Sequence, residues 1–203
     1  MKLYYAPAAC SLSPHIALLE AGLDFTTERV DLRNGRQTES GIDFLAINPK
    51  GYVPALELKD GTVLTEGAAI VQFIADLAPD RLLAPANGTP ERYQLMEWLS
   101  FISSELHKNF GPLFRPTSSE DAKEAARTNL RTRFAYVAGK LADRDYLMGS
   151  QFTVADGYLF TVLNWAAFVQ FDLSDWPVLG AYQQRVASRP AVQQALRAEG
   201  LLK

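Results

Sequence analysis

The apolar periodicity of this chain changes once, near residue 79, and that change restricts its possible folds more than any other feature. Residues 1 to 78 alternate short period-two runs with short helical stretches, whereas beyond Pro90 the spacing is helical throughout. Lys2–Tyr5 reads as a strand ended by Pro7, and His15–Ala21 as a helix closed by Gly22. Phe25–Leu32 alternates as a second strand, which gives a βαβ unit with parallel strands. Asn34–Ser40 is polar and is expected to be a mobile loop, and Ile42–Asn48 a short helix before Pro49. Gly51–Leu58 reads as a strand with Pro54 near its start, where no ladder N–H is needed. Asp60-Gly61 is a hairpin turn that returns Thr62–Thr65 antiparallel, and Glu66–Ala75 opens a helix. The order β-α-β-α-β-β-α predicts an α/β domain with a four-stranded mixed sheet over residues 1–78.

Pro79, Pro85 and Gly88 mark residues 79–89 as a linker, and residues 90–203 are predicted to be all-helical. Pro90 suits the first helical position after Thr89. Leu95, Trp98, Leu99, Ile102 and Leu106 recur at helical spacing as one buried stripe. Residues 120–142 form another amphipathic helix. Thr153-Val154-Ala155-Asp156 is a capping-box pattern with Asp in place of Glu or Gln. The helix that follows, through Phe171, is apolar almost all round and belongs at the domain centre. Trp176-Pro177 and Pro190 open two further helices.

Composition narrows the function. A net charge of −3 disfavours a nucleic-acid partner, which requires a basic surface. No apolar run approaches the roughly 20 residues that span a bilayer, so no membrane association is expected. The first residues enter a strand at once, with no signal peptide, and a single cysteine cannot close an internal disulfide. Both point to the cytoplasm. Two His and one Cys, far apart, form no metal site, and there is no G-x-G-x-x-G, P-loop or internal repeat.

Four places carry chemistry. Cys10 sits at a strand-to-helix turn, where helix N–H groups and the positive dipole end favour thiolate; the alternative is an inert buried thiol. Ser100, Ser104, His107 and Gly111 fall at i, i+4, i+7 and i+11, a face of small polar groups with one imidazole. Such a face is either a solvated surface or room for a ligand, with His107 as a hydrogen-bond donor. Val53-Pro54 stands at a strand start; a cis bond there offers the Val53 backbone to an extended ligand, but only about 5–6% of X-Pro bonds are cis. Thr65-Glu66-Gly67 opens a helix, so backbone N–H groups can hold an anion and Glu66 an ammonium, or Glu66 simply complements the dipole. Taken together, these groups suit an extended zwitterionic peptide whose far end approaches a cysteine. Glutathione, with two carboxylates, one ammonium and a thiol, has that shape.

At this point the chain resembles a glutathione transferase of the bacterial beta class. The resemblance covers essentially the whole sequence and is closest in wording to the glutathione transferases of biphenyl-degradation pathways. It rests on Lys2-Leu3-Tyr4-Tyr5, Ala9-Cys10-Ser11-Leu12-Ser13-Pro14-His15 and Asn48-Pro49-Lys50-Gly51-Tyr52-Val53-Pro54-Ala55-Leu56. Further matches are Leu64-Thr65-Glu66-Gly67, Ser104-Glu105-Leu106-His107-Lys108, Pro112-Leu113-Phe114-Arg115, Phe152-Thr153-Val154-Ala155-Asp156 and Ala198-Glu199-Gly200-Leu201-Leu202-Lys203.

The resemblance implies a thioredoxin-like N-terminal domain, an all-helical C-terminal domain that completes the electrophile site, and a homodimer. It implies that Val53 precedes a cis-proline and pairs with the cysteinyl backbone of glutathione, with Tyr52 beside it. Glu66 and Gly67 would hold the γ-glutamyl end, and Cys10 and His107 would flank the sulfur. Ser100 and Ser104 stand at polar contacts, and Glu105 is expected to reach the partner subunit's site. Relatives carry a lysine soon after the second strand; here Arg33-Asn34-Gly35-Arg36-Gln37 departs from that pattern, and Arg36 is the candidate for its contact.

The implied reaction is attack of glutathione thiolate on an electrophilic, partly apolar substrate, with no metal. Ser11, His107 and backbone N–H groups would stabilise the thiolate. Tyr5, counted with this catalytic group, would also meet the electrophile together with Phe110, Phe114, Trp165 and Phe168. Two alternatives compete. Cys10-Ser11-Leu12-Ser13 is a C-x-x-S pattern, so Cys10 could instead run thiol–disulfide exchange or reductive dehalogenation with glutathione. A non-catalytic ligand-binding protein is the other, because fold does not fix function.

Overall fold

The computed structural model describes residues 1–202; Lys203, the last residue of the tail motif, lies outside the described residues. The chain divides into two compact units. The first comprises Met1–Ala84 together with the segment from Arg189 onward, and the second Pro85–Ser188.

The first unit is built on a mixed sheet in the order β3-β2-β1-β4-β5, with β1 Lys2–Tyr5, β2 Thr26–Asp31, β3 Gln37–Thr38, β4 Ala55–Glu57 and β5 Val63–Thr65. β1 runs parallel to β2 and antiparallel to β4, and β4 and β5 form the hairpin read from Asp60-Gly61. The sheet therefore has five strands and not the four expected. The additional strand lies in the polar stretch 34–40, where Gln37 and Thr38 pair with Asp31 and Val30. The stretch contains no apolar alternation; backbone pairing and the Thr38 hydroxyl, which accepts from Ile42 N–H, order it instead.

The helices of this unit are α1 Leu12–Ala21, α2 Phe44–Ile47, α3 Gly67–Leu77 and, from the far end of the chain, α9 Pro190–Ala198. Gly22 closes α1 in the left-handed region at φ 66°, with its N–H on Leu19. A buried cluster of Tyr4, Val30, Phe44, Val53 and Ala55 fixes α2 against the sheet. α1 packs on both α3 and α9. The placement of α9 differs from the expectation of one helical body running from residue 90 to the C-terminus. Two side-chain contacts tie it there: Glu199 meets the buried His15 ring at 2.9 Å, while the α9 flank Arg189 grips Glu20 of α1 at 2.6 Å.

The second unit contains α4 Pro90–Phe101, a π-helical segment Ile102–His107, α5 Lys108–Phe114, α6 Glu120–Leu141, α7 Val154–Phe168 and α8 Pro177–Ala187. Thr89 caps α4 by accepting from Arg92 N–H, with Pro90 in the first turn. α7 is the centre, buried on almost every side. Its start is fixed by Asp156, whose carboxylate accepts from Thr153 N–H at 2.8 Å, Leu147 N–H at 2.9 Å and the Tyr182 hydroxyl at 2.9 Å. Burial pushes this carboxyl upward despite those donors.

Candidate active site

Cys10 lies in the turn between β1 and α1. The turn is held from two directions. Ser11, completely buried, donates its hydroxyl to Ala6 C=O and accepts from Ala6 N–H, both at 3.2 Å. Glu199 reaches Ala8 N–H with its second carboxylate oxygen at 3.2 Å, at a residue with φ 62°. Ser11 was expected to stabilise a substrate thiolate; its donor is already committed to Ala6, so it shapes the turn.

The Cys10 thiol donates to the carbonyl of Val53 at 3.3 Å. Only the protonated sulfur can make this bond, which opposes the thiolate character expected from the helix end. The Val53-Pro54 peptide is cis. Val53 is held on its other side by burial of its side chain in the β-sheet cluster.

The loop that presents Val53 depends on Asn48, which is 2% exposed. Asn48 donates to Tyr52 C=O at 2.8 Å and accepts from Lys50 N–H at 3.2 Å. Gly51 takes φ 72°, and a Cβ there would come within 2.9 Å of Leu45 and 3.3 Å of the Arg36 guanidinium. Arg36 is thus beside the Gly51–Tyr52 turn.

Glu66 precedes α3 with φ 68° and ψ 108°, a sparsely populated conformation for a residue with a side chain. Its carboxylate accepts from Lys50 Nζ at 2.6 Å, and the Tyr52 hydroxyl lies 3.4 Å from the same oxygen. Lys50 also donates to the Thr65 hydroxyl at 3.0 Å, and its partner Glu66 raises its pKa. Gly67 follows over the Pro54 ring, 3.7 Å from where its Cβ would be. The structure therefore brings Cys10, Val53, Tyr52, Glu66, Gly67 and Arg36 around one loop. Lys50 belongs with them and was missed as a site residue, although its motif was read; an exposed lysine beside Pro49 carries no local signal. Tyr5, at the end of β1, packs on the His15 ring at a centroid distance of 6.0 Å, and burial raises its hydroxyl pKa.

In the second unit, the expected face of Ser100, Ser104, His107 and Gly111 is interrupted. Residues 102–107 are π-helical, so the register slips and i, i+4, i+7 positions no longer stack. Ser104 spends its hydroxyl on Ser100 C=O at 3.0 Å. Glu105 is held by Arg133 of α6 at 2.8 Å, within its own chain. His107 is largely buried, with Nδ1 2.7 Å from the Tyr158 hydroxyl and its ring edge-on to Trp165 at 4.8 Å. Burial lowers its pKa to about 4, with a smaller push from Lys108. Phe110 and Phe114 also pack on Trp165, whereas Phe168 is exposed. Among the described residues no group of His, Cys, Asp and Glu is placed to hold a metal ion, and no helix is long and apolar enough to cross a membrane.

The N-terminal domain model of glutathione S-transferases matches residues 9–77, and the C-terminal domain model matches residues 101–190. The chain is 53% identical to glutathione S-transferase GstA of Escherichia coli O157:H7, over 99% of this chain and all of that one. It superposes on the ternary complex of BphK, a bacterial GST, with TM-score 0.98 and 61% identity, covering 99% and 100% of the two chains. A beta-class enzyme from Sphingomonas chungbukensis gives TM-score 0.96 at 52% identity, with both chains fully covered. The chain belongs to the glutathione S-transferase family, and its bacterial neighbours place it in the beta class.

Proposed function

We propose that this protein joins the sulfur of glutathione to small, partly apolar electrophiles. The observation that carries this reading is the group in the first unit, where the Cys10 thiol on the Val53 carbonyl stands with Glu66 and Lys50 at the start of α3. A peptide backbone pairs with the main chain of Val53 as an added strand does. The first turn of α3 and Lys50 suit the γ-glutamyl carboxylate, and Glu66 its ammonium. Arg36 suits the carboxylate at the other end.

In the reaction the glutathione thiol loses its proton to solvent, and the thiolate sulfur forms a bond to the electrophilic carbon. With an aryl chloride, the carbon–chlorine bond breaks and chloride leaves with the electron pair. His107 is assigned the role of donor to the reacting sulfur, with Ser100, Ser104 and Glu105 as polar contacts; this assignment rests on the family resemblance. The active form is proposed to be a cytoplasmic homodimer, on the family resemblance and on a single cysteine, which cannot close an internal disulfide.

The test is an assay of the wild type and of Cys10→Ala with an aryl chloride and, separately, with a mixed disulfide of glutathione. Conjugation that survives substantially in the variant while disulfide reduction vanishes supports transfer as the main activity. Loss of both activities in Cys10→Ala would instead assign the main activity to thiol–disulfide chemistry at Cys10.

A further inference from the structure

His107 stands at the end of the π-helical segment, and its ring is anchored through Nδ1. Nδ1 meets the hydroxyl of Tyr158, a residue 4% exposed in the middle of α7. Trp165, two turns further along α7, presses edge-on against the ring and fixes its plane. Because Nδ1 is committed to the buried Tyr158, any hydrogen bond from the imidazole to a further group has to be made at Nε2.

Two proton arrangements satisfy a 2.7 Å contact between a phenol and a neutral imidazole. In one, the phenol donates to Nδ1 and the imidazole proton sits on Nε2. In the other, Nδ1–H donates to the phenol oxygen and Nε2 is bare. The first is favoured by chemistry. A phenol is the stronger acid of the two, and an imidazole nitrogen is a far better acceptor than a phenolic oxygen. The hydrogen bond at one ring nitrogen sets the proton at the other.

We propose that Tyr158 is a positioning residue, whose hydroxyl donates to Nδ1 of His107 and so holds the imidazole in the Nε2–H tautomer, a donor and not a base. Burial supports the neutral ring across the physiological range, since it depresses the imidazole to about 4. The proposal deepens the reading above, since a donor at Nε2 is what a developing thiolate requires and a bare nitrogen would repel it. Tyr158 touches no reacting atom in this account; it acts through His107.

The chain contains two histidines, which makes the experiment direct. Protein labelled with nitrogen-15 in histidine is examined at neutral pH by two-bond nitrogen–proton correlation, and His107 is assigned by the signals lost in His107→Asn. The expected wild-type pattern is Nε2–H for His107. Tyr158→Phe, which removes one oxygen and keeps the ring, is expected to give a mixed or Nδ1–H pattern and a fall of about tenfold in kcat/KM toward an aryl chloride. A wild-type Nδ1–H pattern overturns the proposal, and so does a Tyr158→Phe spectrum that matches the wild type. The wild-type spectrum decides the tautomer even if the variant does not fold. No cosubstrate is needed for either spectrum, so this outcome is separate from the transferase reading, which fails instead if the wild type conjugates no aryl chloride.

Discussion

The Cys10 thiol donates to the Val53 carbonyl at 3.3 Å, joining residues 43 apart in sequence. A thiol–carbonyl bond is weak, so its loss costs little. Cys10→Ala is expected to change unfolding stability in urea by less than about 1 kcal/mol. A loss of several kcal/mol would mean that Cys10 is a structural element of the turn.

Glu66 combines a strained backbone with a functional carboxylate. Glu66→Gly relieves the positive φ and removes the acid. Stability is expected to stay the same or rise by up to about 1 kcal/mol, while the KM for glutathione rises about tenfold or more. The Lys50–Glu66 pair is exposed, and such pairs contribute little to stability. Unfolding curves and saturation kinetics on one preparation test both halves, and a large stability loss would contradict the account.

Glu199 ties the far end of the chain to the Cys10 turn through His15 and Ala8. Glu199→Ala removes the carboxylate that the buried His15 ring and the Ala8 N–H share. The expected loss is about 3 kcal/mol in urea unfolding. Local opening of the turn should also speed alkylation of Cys10 by iodoacetamide. An unchanged alkylation rate would show that the carboxylate does not order the turn.

His107 gives stability a pH dependence of known sign. Its folded pKa, about 4, lies below the unfolded value of 6.5. Between these values the unfolded chain binds the proton and the folded one does not. Stability from this group is therefore full above pH 6.5 and falls as pH drops toward 4. Allowing for partial exposure of the ring, the loss is roughly 2 kcal/mol. His107→Gln should flatten that part of the profile; an identical profile would show that the ring is solvated in the folded state.

Much of this was legible in the sequence because periodicity reports directly on burial. The strand–helix order to residue 78, the Thr89-Pro90 start of α4 and the Thr153–Asp156 box follow from local rules. What local rules could not supply were contacts made across long separations. β3 contains no alternation and is ordered by pairing with β2. α9 sits on α1 because of the Glu199–His15 and Arg189–Glu20 pairs, which no window of sequence reveals. The π-helical segment broke an even spacing of Ser100, Ser104 and His107, since spacing presumes a regular helix. Within the site, Val53 and Glu66 announced themselves through Pro54 and Gly67, whereas Lys50 and Tyr158 acquire meaning only from their partners.

The central claim is that the loop of Lys50, Val53 and Glu66 beside Cys10 receives glutathione. Isothermal calorimetry of the full chain against glutathione tests it most directly. The account predicts a saturable heat with a stoichiometry of one per chain, weakened about tenfold or more in Glu66→Gly. No heat of association at millimolar glutathione would contradict it.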